Sequence, residues 1–212
     1  MNALGFTHRF VPANPESGTG RVLLLLHGTG GDESQLLSLG RTVDPSAAVL
    51  SPRGKISEHG NARFFRRLAE GVFDEEDVIR RAHELADFVE GAATEYRFDL
   101  ARVVAVGYSN GANVAAAMLL LGRAVFMKAI FLRAMVPFVP PTLPDLSKAS
   151  LLICEGEHDP IVSRDQAESL AALFRDSSAN VTLKYQAAGH DLTPADLATA
   201  QEWLAQSDET VS

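Results

Sequence analysis

The sequence predicts an α/β fold, a mostly parallel central sheet with helices on both faces, spanning residues 1–212 as a single domain. Three observations carry this. Short apolar runs recur along the chain, apolar on successive rather than alternate residues, as in strands covered on both sides. Between the runs stand stretches with helical periodicity. The length of 212 residues suits one such domain better than two.

In chain order, Phe6–Val11 reads as an edge strand at the amino terminus and Val22–Leu26 as the first buried strand. A helix is expected over Glu33–Val43, then a strand at Ala47–Leu50. Asp74–Tyr96 is the clearest helix: Val78, Ala82, Leu85, Val89 and Ala92 share one face, Asp74 can cap it, and Glu75, Glu76 and Asp77 complement the dipole of its first turn. Strands follow at Val103–Val106, Lys128–Leu132, Leu151–Cys154 and Val181–Tyr185, with helices at Asn110–Leu121, Arg164–Asp176 and Pro194–Gln206. Ser163 and Thr193 suit the caps of the last two helices, and Pro194 suits a first helical position. Pro52–Phe73 and Met135–Lys148 are the longest stretches with no regular pattern. Little sequence is left over for a lid.

Composition narrows the function classes. At 46% apolar and 22% charged residues, the chain is neither disordered nor fibrous. Nineteen basic against 27 acidic residues give a net charge of −8, which disfavours nucleic acid and anionic membranes as partners. The single cysteine, Cys154, can form no internal disulfide and no Cys-rich metal site, which points to a reducing compartment. Met1–Phe10 lacks the pattern of a secretory signal, and Val22–Leu26 falls far short of the roughly 20 apolar residues of a membrane helix. A soluble, cytoplasmic protein without a metal or cofactor is expected.

In open α/β sheets the chemistry gathers at the carboxyl ends of the strands. Beyond Val103–Val106 stands Gly107-Tyr108-Ser109-Asn110-Gly111, followed by a small-residue helix. This is the G-x-S-x-G nucleophile elbow in its required strand-to-helix context. The turn around the serine is sharp, and the positions two before and two after it pass too close to other backbone for side chains. A serine hydroxyl needs a base, and the base needs an orienting acid. The chain order expected for an elbow is serine, acid, histidine. Asp159 lies in the loop after Leu151–Cys154, and His190 in the loop after Val181–Tyr185. Glu155 and Glu157 are rival acids, but the Asp159-Pro160 pair fixes a rigid turn and favours Asp159. His158 precedes the acid and follows no strand of its own. His8, His59 and His83 read as solvated or structural.

The first buried strand ends in His27-Gly28-Thr29-Gly30-Gly31-Asp32, beside the elbow. An oxyanion hole is expected from the backbone N–H groups of Thr29 and Asn110, with His27 bracing the loop. No Gly-Lys-Ser/Thr follows, so the loop is not a phosphate cradle. Phe64, Phe65 and Arg66 in one irregular stretch, and Met135 and Val136 in the other, are the expected pocket walls. The two phenylalanines have the alternative of packing their loop onto the core; Arg66 and Arg67 are candidates to recognise an acidic substrate group, with lying in solvent as the alternative. A shallow site with a minimal lid favours small or short-chain esters. Neutral His190 is the required base.

With these residues in place, the sequence resembles the small serine α/β-hydrolases of the phospholipase/carboxylesterase group, which includes the acyl-protein thioesterases. The likeness runs over nearly the whole chain. It is anchored by Leu25–Glu33, the Gly107–Gly111 elbow, Asp159-Pro160-Ile161-Val162 and Gly189-His190. Ser51–Gly54, Arg63–Arg67 and Phe73–Asp77 are most similar to the bacterial carboxylesterase branch, some of whose members are associated with hydroquinone response. The resemblance implies Ser109, Asp159 and His190 as triad, Thr29 and Asn110 as oxyanion donors, cofactor-free hydrolysis of a small-molecule ester and a possible homodimer. Tyr108-Ser109-Asn110-Gly111-Ala112 differs from the Phe-Ser-Gln-Gly-Gly usual in acyl-protein thioesterases, which speaks against protein depalmitoylation. A cysteine nucleophile, as in dienelactone hydrolases, is replaced here by Ser109. A thioesterase or lysophospholipase-type hydrolase is the alternative activity, and a non-catalytic ligand-binding module the alternative class.

Overall fold

The computed structural model describes residues 4–13, 20–123 and 125–209. Seven strands form the central sheet: β1 (His8–Val11), β2 (Val22–Leu26), β3 (Ala48–Pro52), β8 (Val103–Tyr108), β9 (Lys128–Leu132), β10 (Ser150–Gly156) and β11 (Asn180–Gln186). Their order is β1-β3-β2-β8-β9-β10-β11. Only β1 runs antiparallel, pairing Phe10 with Leu50 of β3 at the sheet edge. All other pairings are parallel, so six strands deliver their carboxyl ends to one rim.

The successive apolar residues of each run are explained by what they face. Val22, Leu24 and Leu26 of β2 join the core beneath α2 (Glu75–Tyr96), α3 (Asn110–Leu120) and α4 (Arg164–Asp176), whereas Leu23 and Leu25 pack under α1 (Leu37–Val43) and α5 (Pro194–Glu209). Every residue of α3 is buried. Its alanines and Gly111 let the sheet and α2 close on it from opposite sides, as a helix apolar all round requires. On α2, the Asp74 carboxylate accepts from the Asp77 N–H at 3.1 Å, a cap of about 1 kcal/mol, and Val78, Ala82, Leu85, Val89 and Ala92 are all buried.

Two stretches differ from expectation. The first helix begins at Leu37, not Glu33, because residues 33–36 are drawn into the preceding loop. Asp32 accepts from the Ser34 N–H at 2.8 Å, and the Gln35 side chain accepts from the Gly28 N–H at 2.9 Å. The Pro52–Phe73 stretch is not irregular. It folds into two small hairpins, β4 (Ile56–Glu58) with β5 (Asn61–Arg63), and β6 (Arg67–Ala69) with β7 (Val72–Phe73). Their turns are His59-Gly60, both with positive φ, and Glu70-Gly71. No helix among the described residues is long and apolar enough to cross a membrane.

Candidate active site

The elbow joins β8 to α3 at the centre of the sheet. Ser109 sits at φ 52°, ψ −115°, a conformation side-chain-bearing residues rarely adopt. The positions two before and two after it must be glycines. A Cβ on Gly107 would lie 2.6 Å from the Ala112 backbone, and one on Gly111 would overlap the Leu26 carbonyl oxygen. The Ser109 N–H donates to the Leu132 carbonyl at 2.8 Å, fixing the elbow to the end of β9.

Two loops from neighbouring strand ends meet this serine. His190, after β11, brings Nε2 to 2.9 Å from Ser109 Oγ, and its Nδ1 lies 2.8 Å from Asp159 Oδ2. The side chain of Asp159, after β10, is fully buried. Its other oxygen accepts from the backbone N–H groups of Ile161 at 2.7 Å and Val162 at 3.1 Å. The carboxylate is thereby held in one orientation, and Nδ1–H is the tautomer it accepts from. Ser109, Asp159 and His190, residues scattered over 81 positions, form one hydrogen-bonded line.

Glu155, a rival acid in the sequence, is elsewhere. It is buried, one oxygen accepts from the Ala134 N–H at 2.8 Å, and burial pushes its carboxyl well above the usual range.

A cavity of about 310 Å³ opens over the serine, and Thr29, Asn110 and His190 line it together with Ser109. As the first residue of α3, Asn110 has a backbone N–H with no acceptor within the helix. The Thr29 loop is held by Gly30 N–H to the Ala62 carbonyl at 2.9 Å and by Arg63 Nη1 to Thr29 Oγ1 at 2.6 Å. His27 braces the same loop: its Nε2 accepts from the Gly54 N–H at 2.9 Å, so Nδ1 carries the proton donated to the Gly28 carbonyl at 2.7 Å. Burial holds the His27 pKa below the ordinary value, keeping that ring neutral.

The expected walls are corrected in part. Met135 lines the cavity. Phe64 and Phe65 do not: both are buried in the core, Phe64 against the His27 ring at 4.6 Å and Phe65 edge-on to Phe73 at 5.0 Å. They stand in the bend that joins the two hairpins, where successive side chains need not alternate. Arg66 points into solvent and pairs with Asp74 at 2.8 Å. Val136 packs against the core. The walls come instead from Arg63, Arg67, Phe73, Ile161 and Val162, with Tyr108 beside the serine.

Arg133 is the residue the sequence reading missed. It follows β9 at φ 59° and is wholly buried. Nε donates to the Gly189 carbonyl at 2.9 Å and Nη2 to the Asp191 carbonyl at 3.1 Å, so both neighbours of His190 are held. The Tyr108 hydroxyl donates to the His190 carbonyl itself at 3.2 Å. The available signal was an arginine at a strand end directly beside the elbow strand.

The fold defines an α/β-hydrolase. No protein-family model matches the chain. It is 46% identical over 193 residues to MhqD of Bacillus subtilis (strain 168), a protein provisionally named a hydrolase, covering 91% of this chain and 96% of that one. Among solved structures it is similar to a Bacillus cereus carboxylesterase, at 45% identity and a TM-score of 0.92 over 97% of this chain and 95% of that one. A Mesorhizobium loti carboxylesterase follows at 30% identity and a TM-score of 0.89 over 97% of each chain. The chain belongs to the small serine α/β-hydrolases of the phospholipase/carboxylesterase family, in its bacterial carboxylesterase branch.

Proposed function

We propose that the protein is a cytoplasmic serine carboxylesterase that hydrolyses small or short-chain esters through an acyl-enzyme. The observation that carries this is the unbroken line from Ser109 Oγ through His190 to Asp159, with bonds of 2.9 and 2.8 Å, at the floor of an accessible cavity. His190 takes the serine proton as Oγ attacks the ester carbonyl, then returns it to the leaving alcohol. Asp159 stabilises the imidazolium without taking the proton. The N–H groups of Thr29 and Asn110 receive the oxyanion, each such donor being worth about 3–4 kcal/mol in the transition state. Water then repeats the sequence on the acyl-enzyme and frees the acid.

A cavity of about 310 Å³ suits a small acyl group. A steep rise in rate for acyl chains beyond about ten carbons would contradict the short-chain preference. The family's homodimer belongs to the same proposal. Ser109→Ala should lose about 10⁶-fold in kcat on activated short-chain esters and lose labelling by a fluorophosphonate probe. Retention of most activity in that variant overturns the mechanism, and absence of labelling in the wild type would favour a non-catalytic binding module.

A further inference from the structure

Three arginines line the cavity, Arg63, Arg67 and Arg133, and one carboxylate serves the first two. Glu58 sits 2.8 Å from Arg67 Nε and 3.4 Å from Arg63 Nε. Arg63 is the deeper, its side chain 4% exposed. Its Nε donates to the Phe65 carbonyl at 3.2 Å and its Nη1 to Thr29 Oγ1 at 2.6 Å. A guanidinium carries five N–H donors. Its Nη2 has no protein acceptor among the described residues, nor does the second N–H of Nη1. Burial, and next the charge of Arg67, hold the Arg63 pKa below the usual arginine value.

The remaining charges do not cancel this excess. Arg133 is matched by Asp196 and Asp159 is engaged by His190. Glu70 also lines the cavity, but it is exposed and pairs with neither arginine within 4.0 Å. Arg63 touches the side chain of Thr29, whose own N–H is the proposed oxyanion donor. An anion held by Arg63 therefore lies close to the scissile carbonyl.

We propose that Arg63 and Arg67 form an anion subsite, and that the preferred substrates are small esters carrying a carboxylate a few bonds from the scissile carbonyl. This rests on the ester hydrolysis proposed above. Arginine suits the task because its planar fork meets a carboxylate through two parallel bonds, and the partly dry setting strengthens them.

The test compares methyl hydrogen succinate with methyl butyrate, of similar length, by pH-stat, in the wild type and in Arg63→Met and Arg67→Met. The wild type should favour the charged ester in kcat/KM, and each substitution should lower the charged-to-neutral ratio by about tenfold. The Arg67 side chain is 32% exposed, so Arg67→Met keeps the test readable if Arg63→Met fails to fold. Titration calorimetry with succinate reads the subsite without turnover, and binding should weaken about tenfold in each variant. An unchanged ratio, or succinate binding the variants as tightly as the wild type, overturns the subsite. If neither ester is hydrolysed by the wild type, ester hydrolysis itself fails, and calorimetry still decides the subsite.

Discussion

Arg133 and Asp196 form a bidentate ion pair with no exposure to solvent, Nη1 to Oδ1 and Nη2 to Oδ2, each at 2.8 Å. The same carboxylate accepts from the Thr193 N–H and hydroxyl, both at 2.8 Å. One interaction thus joins the start of α5 to the loop that presents His190.

Removing either partner leaves a buried, unmatched charge. Arg133→Met and Asp196→Asn should each cost about 3–5 kcal/mol of stability in urea unfolding. Burial alone would raise the Asp196 carboxyl, but the bonds from Arg133 and Thr193 hold it below the usual carboxylate range. Its contribution is fully present above about pH 4 and is lost as pH falls through the depressed value. Asp196→Asn should lack that acid component, and an unchanged acid limb would contradict the assignment.

Arg133 and Tyr108 act on His190 through three consecutive carbonyls, those of residues 189–191. Tyr108→Phe removes only the middle bond and should lower kcat about fivefold with little change in KM. Folded Arg133→Lys, which keeps the charge but loses the fork, should lose about 100-fold in kcat. A change confined to KM would show that these residues shape the pocket rather than position the base.

The elbow stores strain that can be measured. Ser109→Gly and Ser109→Ala lose the same hydroxyl, but only glycine adopts φ 52°, ψ −115° freely. The glycine variant should be more stable than the alanine variant by about 1–3 kcal/mol. Equal melting temperatures would indicate that the elbow relaxes on losing its hydroxyl.

Cys154 lies inside β10, fully buried, and burial pushes its thiol up to about 12. The native protein should not react with Ellman's reagent at pH 8, while the denatured chain releases one equivalent, and alkylating agents should leave activity intact. Rapid native labelling would mean that the strand opens readily.

Glu155 should make the protein less stable as pH rises. Burial pushes its carboxyl well above the ordinary value of 4.5, and its Oε2 has no hydrogen-bond partner among the described residues. The folded state keeps a proton that the unfolded chain releases. This stabilisation is complete below about pH 4 and declines above pH 4.5 until the folded carboxyl ionises. Glu155→Gln mimics the protonated form and should flatten the decline in urea melts between pH 5 and 9.

The scaffold was legible because the runs of the inner strands are apolar on successive residues, and alternate side chains do enter different cores. The elbow was legible because Gly107 and Gly111 are forced by local contacts that a pentapeptide displays. Asp159 and His190 could be read from their places after strands. The pocket walls could not. Whether Phe64 or Arg63 faces the cavity is decided where a three-residue hairpin strand gives way to a bend, and successive side chains need not alternate there. Arg133 was hidden for another reason: its side-chain partners lie 21 to 63 residues away, and no local pattern announces a buried guanidinium.

The double hairpin at residues 56–73 has an evolutionary consequence. It supplies Arg63, Arg67 and Phe73 to the cavity, whereas the line of Ser109, His190 and Asp159 is built from the loops after β8, β10 and β11. One side of the cavity wall is therefore inherited on a stretch of gene separate from Ser109, Asp159 and His190. The two are riveted at Phe64 N–H to Asn110 Oδ1, 2.7 Å, and at Arg63 to Thr29. A graft that keeps those rivets can exchange the roof wholesale and leave the engine running.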